Sequence, residues 1–185
     1  MSRQAAEIGV FCVRRKGDWE DDCKNQGYKP DWLSRADLKN LPLSGADLSG
    51  ADLTRADLNG TDLSGANLTG ADLTDAELKN VIFSGANLTR ANLAGTDLSG
   101  VDLSGADLTD ADLGNTDLVG TNLSGANLTR ADLTAATLKD TNLVDTDLTD
   151  ANLTGTGLIE EEEIVDYSYT TGDPYSSLDI YPHEE

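Results

Sequence analysis

Cations, histidine, cysteine and aromatic residues are all scarce in this chain of 185 residues, and each shortage removes a class of function. Thirteen Lys and Arg stand against 34 Asp and Glu, a net charge of −21, which argues against direct binding to nucleic acid, where cations make the phosphate contacts. The single histidine, His183, sits close to the C-terminal end of the sequence, so no Ser/His/Asp or Cys/His constellation can be assembled on a rigid framework. Carboxylates are abundant, but acid/base chemistry needs a cleft that desolvates one of a pair. The chain is therefore not expected to be an enzyme. Cys12 and Cys23 are too few for a disulfide scaffold and lack the histidines of a zinc site, which leaves a local disulfide or two reduced thiols. No calcium loop of the GGxGxDxUx type occurs, and no metal or cofactor is expected. No apolar run approaches a membrane span, and MSRQAAEIGVFCVRRKGDWE lacks the core and cleavage site of a secretory signal. With Met1 as the start, a cytoplasmic location and no membrane contact are expected.

So large a net charge with only 38% hydrophobic residues is ordinarily a mark of disorder. The order of the residues outweighs their totals. From Leu33 to Leu158 every fifth residue is leucine except Phe83, giving 26 units in one register with no insertion. Two places before the central residue stands Ala in 15 units and Thr in 7; one place before it stands Asp in 13 and Asn in 7. Ser, Thr or Lys follows, then often Gly, so the consensus is A(D/N)L(S/T)G. A spacing of five fits neither the three-and-four pattern of a helix nor a long alternating strand. It fits a very short strand followed by a turn. In that unit the Leu and the residue two before it point inward, while the Asp or Asn between them points outward and can bond nearby backbone.

A weaker period of twenty overlies the first. The string SGA(D/N)L recurs at 44, 64, 84, 104 and 124, stacking Gly45, Gly65, Gly85, Gly105 and Gly125. Lys39, Lys79 and Lys139 share one column and Thr69, Thr89, Thr109, Thr129 and Thr149 another. Four pentapeptides thus make one coil, and glycine at the corner suits the positive φ of a type II turn. The predicted core is a stack of leucines that fills the axis and leaves no lumen for a ligand.

Units such as ADLSG, ANLTR and TDLSG, from residue 31 to 160, resemble those of the pentapeptide-repeat family, known from bacteria and abundant in cyanobacteria. The resemblance implies an all-β fold, a right-handed quadrilateral parallel β-helix, here of about 6.5 coils. It also implies one possible activity, because some members of that family bind DNA gyrase as mimics of duplex DNA. This sequence departs from those members in having no loops between units, little phenylalanine at the centre and no strongly apolar C-terminal dimer helix.

Around the repeats, residues 1–30 read as an N-terminal cap with a short helix between Asp18 and Gly27, and residues 161–185 as an acidic, Tyr-rich C-terminal tail or cap. Trp32 is placed to pack beneath the first coil. Charge is uneven: +1 on 1–30, −14 on 31–160 and −8 on 161–185. Asp37, Asp57, Glu77, Asp97 and Asp117 fall in one outward column, spaced about 4.8 Å apart if the coils stack as strands. This is the candidate interaction stripe. The three column lysines are expected to act as local ion-pair partners. Outward apolar residues are few, namely Ile82, Val119, Val144 and Ile159, with Pro42 in the column of Ile82; Val81 and Phe83 read as a repacked core layer. The leading expectation is a non-catalytic interaction or scaffold rod that presents its acids to a basic protein partner, as a monomer or an end-to-end dimer. The alternative is a DNA-mimicking modulator of gyrase or of another DNA-binding protein.

Overall fold

The computed structural model describes residues 33–158. The expected cap with Cys12 and Cys23, the helix, Trp32, Ile159 and the acidic tail lie outside the described residues. Within them the chain is a parallel β-helix of square section. Parallel bridges join residues twenty apart, as in Asp37 to Asp57, Asp47 to Asn67 and Asp112 to Asp132. Each side of the square contributes a single bridged residue per coil rather than an extended strand. The four sides take their numbers from their outward residues: face 1 runs through Asp37 and Asp57, face 2 through Pro42 and Asp62, face 3 through Asp47 and Asn67, and face 4 through Asp52 and Asp72.

The consensus is explained by its hydrogen bonds. In the unit 106–110, Ala106 N–H donates to Leu103 O across the preceding turn at 3.1 Å. Asp107 N–H reaches down to Ala86 O at 2.9 Å, while Leu108 and Asp110 N–H reach up to Asn127 O and Thr129 O at 2.7 and 3.0 Å. The fifth amide, of Thr109, faces no carbonyl and donates to Asp107 Oδ1 at 3.0 Å. Every N–H of the unit is satisfied, and the last one only by the outward Asp. The same bond is made by each of the thirteen aspartates and seven asparagines at that position. Asp or Asn is thus part of the fold before it is part of any surface.

The i to i+3 hydrogen bond, with positive φ confined to the second turn residue, identifies the corners as type II turns. The sequence assigns that position to glycine, yet thirteen other residues take it too, among them Arg55, Asp110, Arg130 and Ala135. Their tolerance has a simple geometric reason. At Gly105, for example, no atom lies within 4 Å of where a Cβ would stand, so a side chain there meets only the backbone penalty, about 1–2 kcal/mol.

Inside, leucines such as Leu53, Leu68, Leu93 and Leu118 are wholly buried, with alanines filling the narrow space beside them. Thr61 and Thr121 are equally buried, and their hydroxyls donate to Leu38 O and Leu98 O of the coil below at 2.7 Å. Threonine therefore adds a bond between coils that alanine does not. Val81 and Phe83 are core residues, at 2% and 0% exposure. Among the described residues only Ile82 and Val144 are large, apolar and exposed.

Candidate functional site

Face 1 carries the five acids singled out from the sequence. Asp37, Asp57 and Glu77 are stacked by successive bridges, as are Asp97 and Asp117, but no bridge joins Glu77 to Asp97. The stripe is thus two stacked blocks rather than one ladder. At the sixth level Thr137 follows Asp117, which ends the acids.

What distinguishes face 1 is the residue after the leucine. On face 4 that residue is Thr at four of six levels, with Ala94 and Gly114 at the other two, and the Thr54, Thr74 and Thr134 hydroxyls donate to the Asp of their own unit at 2.5–2.6 Å. Asp52, Asp72 and Asp132 there accept both an N–H and an O–H. Face 3 repeats the pattern at Thr69, Thr109 and Thr129. On face 1 the equivalent residues are Lys39, Asn59, Lys79, Ser99, Val119 and Lys139, and only Ser99 donates a hydroxyl, to Asp97 at 2.6 Å. Asp37 and Asp117 accept only the turn amide of their own unit, as Asp112 does on face 4, where Gly114 stands in place of a Thr. Their remaining oxygens face outward with lone pairs uncommitted. Glu77 is one methylene too long for the turn and instead accepts from Asn59 Nδ2 at 2.8 Å, while Lys79 N–H turns to Asn59 Oδ1 at 2.9 Å.

The lysine column enters the stripe unevenly. Lys39 Nζ lies 2.5 Å from Asp57 Oδ2, and the hydrogen bond and charge of Asp57 hold its ammonium above the ordinary lysine range. Asp97 is held below the usual carboxylate range by the hydroxyl and then the amide of Ser99, with a lesser contribution from the charge of Lys79. Asp132 on face 4 is lowered in the same way by Thr134. These carboxylates stay ionised at neutral pH because hydrogen bonds to the charged form stabilise it.

A further charge array sits at the corner between faces 3 and 4. Arg130 forks onto Asp110, with Nε and a terminal nitrogen at 2.7 and 2.9 Å from its two oxygens, while Arg90 approaches from the other side at 4.0 Å. The Asp110 carboxyl is lowered by Arg130 in consequence. Arg55 and Asp75 form a shorter version at the next corner, 3.2 Å apart. These pairs are not among the candidates drawn from the sequence, although the twenty-residue column of Arg90, Asp110, Arg130 and Asp150 signals them. Arg90 and Arg130 thus stand away from face 1, whereas Arg35 and Arg55 sit at the corner that borders it. Among the described residues no group of three or more His, Cys, Asp or Glu is arranged to hold a metal ion.

The same repeats and coils recur in known proteins. The family profile described as Pentapeptide repeats (8 copies) matches overlapping spans from 33–70 through 126–159. No curated protein gave a match. Among solved structures, a trypsin-treated variant of QnrB1, a plasmid-mediated fluoroquinolone resistance protein, is 25% identical over 64% of this chain and 63% of its own, with a TM-score of 0.51. The pentapeptide repeat protein alr5209 from Nostoc Pcc 7120 is 46% identical over 40% of this chain and 61% of its own, with a TM-score of 0.40. Rfr23 from the cyanobacterium Cyanothece 51142 is 31% identical over 65% of this chain and 82% of its own, at a TM-score of 0.33. The chain thus spans less than two thirds of the first two. Matched repeats and square coils together make the fold a right-handed quadrilateral β-helix, and the chain belongs to the pentapeptide-repeat family.

Proposed function

We propose that the protein is a non-catalytic interaction rod whose working surface is face 1, presented to a basic protein partner. One observation carries this reading. Face 1 is the side on which the residues that elsewhere engage the outward carboxylates, the Ser and Thr of the turn, are largely replaced, so that Asp37 and Asp117 keep free lone pairs. The turn requires an acceptor but no charge, since seven asparagines serve it as well as thirteen aspartates. An acid on five levels of one column is therefore more than the fold demands. Within the described residues the interior is filled by the leucine stack, which leaves a partner the faces of the coils.

A second reading is favoured by one comparison: the likeness to QnrB1, a fluoroquinolone resistance protein, at a TM-score of 0.51. On that reading the partner is DNA gyrase, and the acids stand in for duplex phosphates. Acids stacked about 4.8 Å apart are sparser than the phosphates of one strand, at about 3.4 Å, so face 1 alone imitates a strand only loosely.

The test compares two neutralised rods. In one, Asp37, Asp57, Asp97 and Asp117 become Asn and Glu77 becomes Gln; in the other, Asp52, Asp72, Asp112 and Asp132 of face 4 become Asn. Partners retained from a soluble extract at low and moderate salt are quantified for each, and gyrase supercoiling is titrated alongside. Retention lost with face 1 neutral but kept with face 4 neutral supports the proposal. Equal loss from both variants reduces the effect to bulk charge and overturns it. Inhibition of gyrase that disappears with face 1 neutral selects the second reading.

A further inference from the structure

We infer that Phe83 wedges the rod open at a single interior seam, which makes the middle of the acidic face the point where the solenoid first opens. The seam is a feature of the hydrogen-bond ladder and does not depend on the identity of any partner.

Three amides per unit bind the coils together, and for bonds with both partners between Arg35 and Asn152 the pattern is complete except in one place. Asp75, Leu78 and Asn80 N–H do not reach Ala94, Asp97 and Ser99 O, and Asp97 and Asp102 N–H do not reach Ala76 and Val81 O. These five missing bonds are contiguous. They coincide with the one missing bridge, Glu77 to Asp97. The lower side of the same unit is intact, with Glu77 N–H to Ala56 O at 2.9 Å, and so is the next level, with Asp117 N–H to Thr96 O at 3.0 Å.

Two side chains record the same gap. Buried Thr61, Thr116 and Thr121 donate their hydroxyls to the leucine carbonyl of the coil below, at Leu38, Leu93 and Leu98. Thr96, which by that pattern faces Leu73 O across the seam, turns back to Leu93 O of its own coil at 2.6 Å. Ala76 at the seam is the most exposed of the core alanines, at 9%.

The sequence is unusual at the same level. Phe83 is the one residue in the central stack that is not leucine, and it is fully buried. A ring in a leucine-sized slot overpacks the layer, and the strain is relieved by a backbone shift in the weakest neighbour. Here that neighbour is the preceding side of the square. Phe83 keeps its own bond to Asp102 O at 2.8 Å, while Asp75, Leu78 and Asn80 before it lose theirs. Val81 alone is insufficient, because Val101 occupies the same column and the bonds above it are closed. Two adjacent units lack the usual cap within the unit: Ile82 has no acceptor, and the Lys79 amide is capped instead by Asn59 Oδ1 of the coil below, which ties the unit 76–80 downward while its upper side stays open. The unpaired amides and carbonyls lie between Glu77 and Asp97, at the junction of the two acid blocks.

Amide hydrogen exchange of the whole chain, resolved by NMR, tests this. Leu78, Asn80 and Asp97 should exchange on the order of 100-fold faster than Leu58, Gly60 and Asp117, which hold the same positions one coil away. In Phe83→Leu, which restores the consensus, their exchange should slow to the level of those neighbours. In Ile82→Asp, which restores the turn cap but keeps the ring, it should stay fast. Uniform protection in the unaltered protein would overturn the seam. Fast exchange that persists in Phe83→Leu, or slows in Ile82→Asp, would overturn its assignment to Phe83.

Discussion

Replacing Asp107 by Asn and by Ala separates the two services an outward aspartate performs. In the native rod its Oδ1 accepts the Thr109 amide at 3.0 Å and the Thr109 hydroxyl at 2.6 Å, and the residue is half-buried between the coils. Alanine removes that acceptor and leaves one turn amide without a partner in the chain. By analogy with the loss of a helix N-cap, which also removes a side-chain acceptor from an orphan amide, the cost is about 1 kcal/mol, toward 2 if water is kept out. Asparagine keeps the oxygen, as Asn87 and Asn127 show directly below and above in the same column. Its cost should be under about 0.5 kcal/mol, and its amide gains a donor of the kind that Asn67 uses toward Asp47 at 3.1 Å. Urea denaturation followed by circular dichroism measures the difference as a shift of the midpoint at constant slope. A changed slope would mean that the solenoid unfolds in parts, as repeat proteins can. If Asn destabilises as much as Ala, the turn is held by the charge and not by the acceptor, and the role assigned to the aspartate Oδ1 is refuted.

The pH dependence follows from the lowered carboxyls of Asp97 and Asp132. Their folded pKa lies below the unfolded value of about 3.9, so their stabilisation is complete above that pH and lost as pH falls through the folded value. A double Asn variant at these sites should therefore gain on the native rod in thermal melts only below about pH 4, and a gap that widens instead above about pH 6 would refute the cause. Ala135 occupies a positive-φ corner with φ 56 and no polar side chain to compensate, so Ala135→Gly should stabilise by roughly 0.5–1 kcal/mol, against the usual direction of that exchange. A destabilised glycine variant would show that its methyl packs usefully. Thr121→Val keeps the shape of a buried side chain but removes its hydroxyl bond to Leu98 O, and should cost about 1 kcal/mol in denaturant melts. No loss would mean that the inter-coil hydroxyl bonds add nothing to alanine's packing role.

The coils were legible in the sequence because both periods are strict. A leucine every five residues sets the unit, and the SGA(D/N)L string every twenty sets the number of units per turn. The candidate stripe was legible for the same reason, since a column is only arithmetic once the period is known. What the period did not reveal is which carboxylates are already engaged. Asp52 and Asp117 hold the same place in the unit, and the sequence shows Thr54 after one and Val119 after the other, but only the folded turn shows that the Thr hydroxyl donates to the Asp.

By itself, then, the sequence determined the square cross-section, the buried leucine axis, the outward acids and the absence of insertions, because each is a local consequence of residue type at fixed spacing. Tertiary structure alone decided three things. It showed that the outward Asp supplies the fifth acceptor of the unit, since the carbonyls available to the other four amides are known only when the coils are stacked. It paired Arg130 with Asp110 across a corner, where the geometry of the guanidinium fork selects the partner. And it broke the ladder between Glu77 and Asp97, because whether one aromatic ring fits in a stack of leucines depends on the volume of the layer and the strength of its neighbours, neither of which a pentapeptide contains.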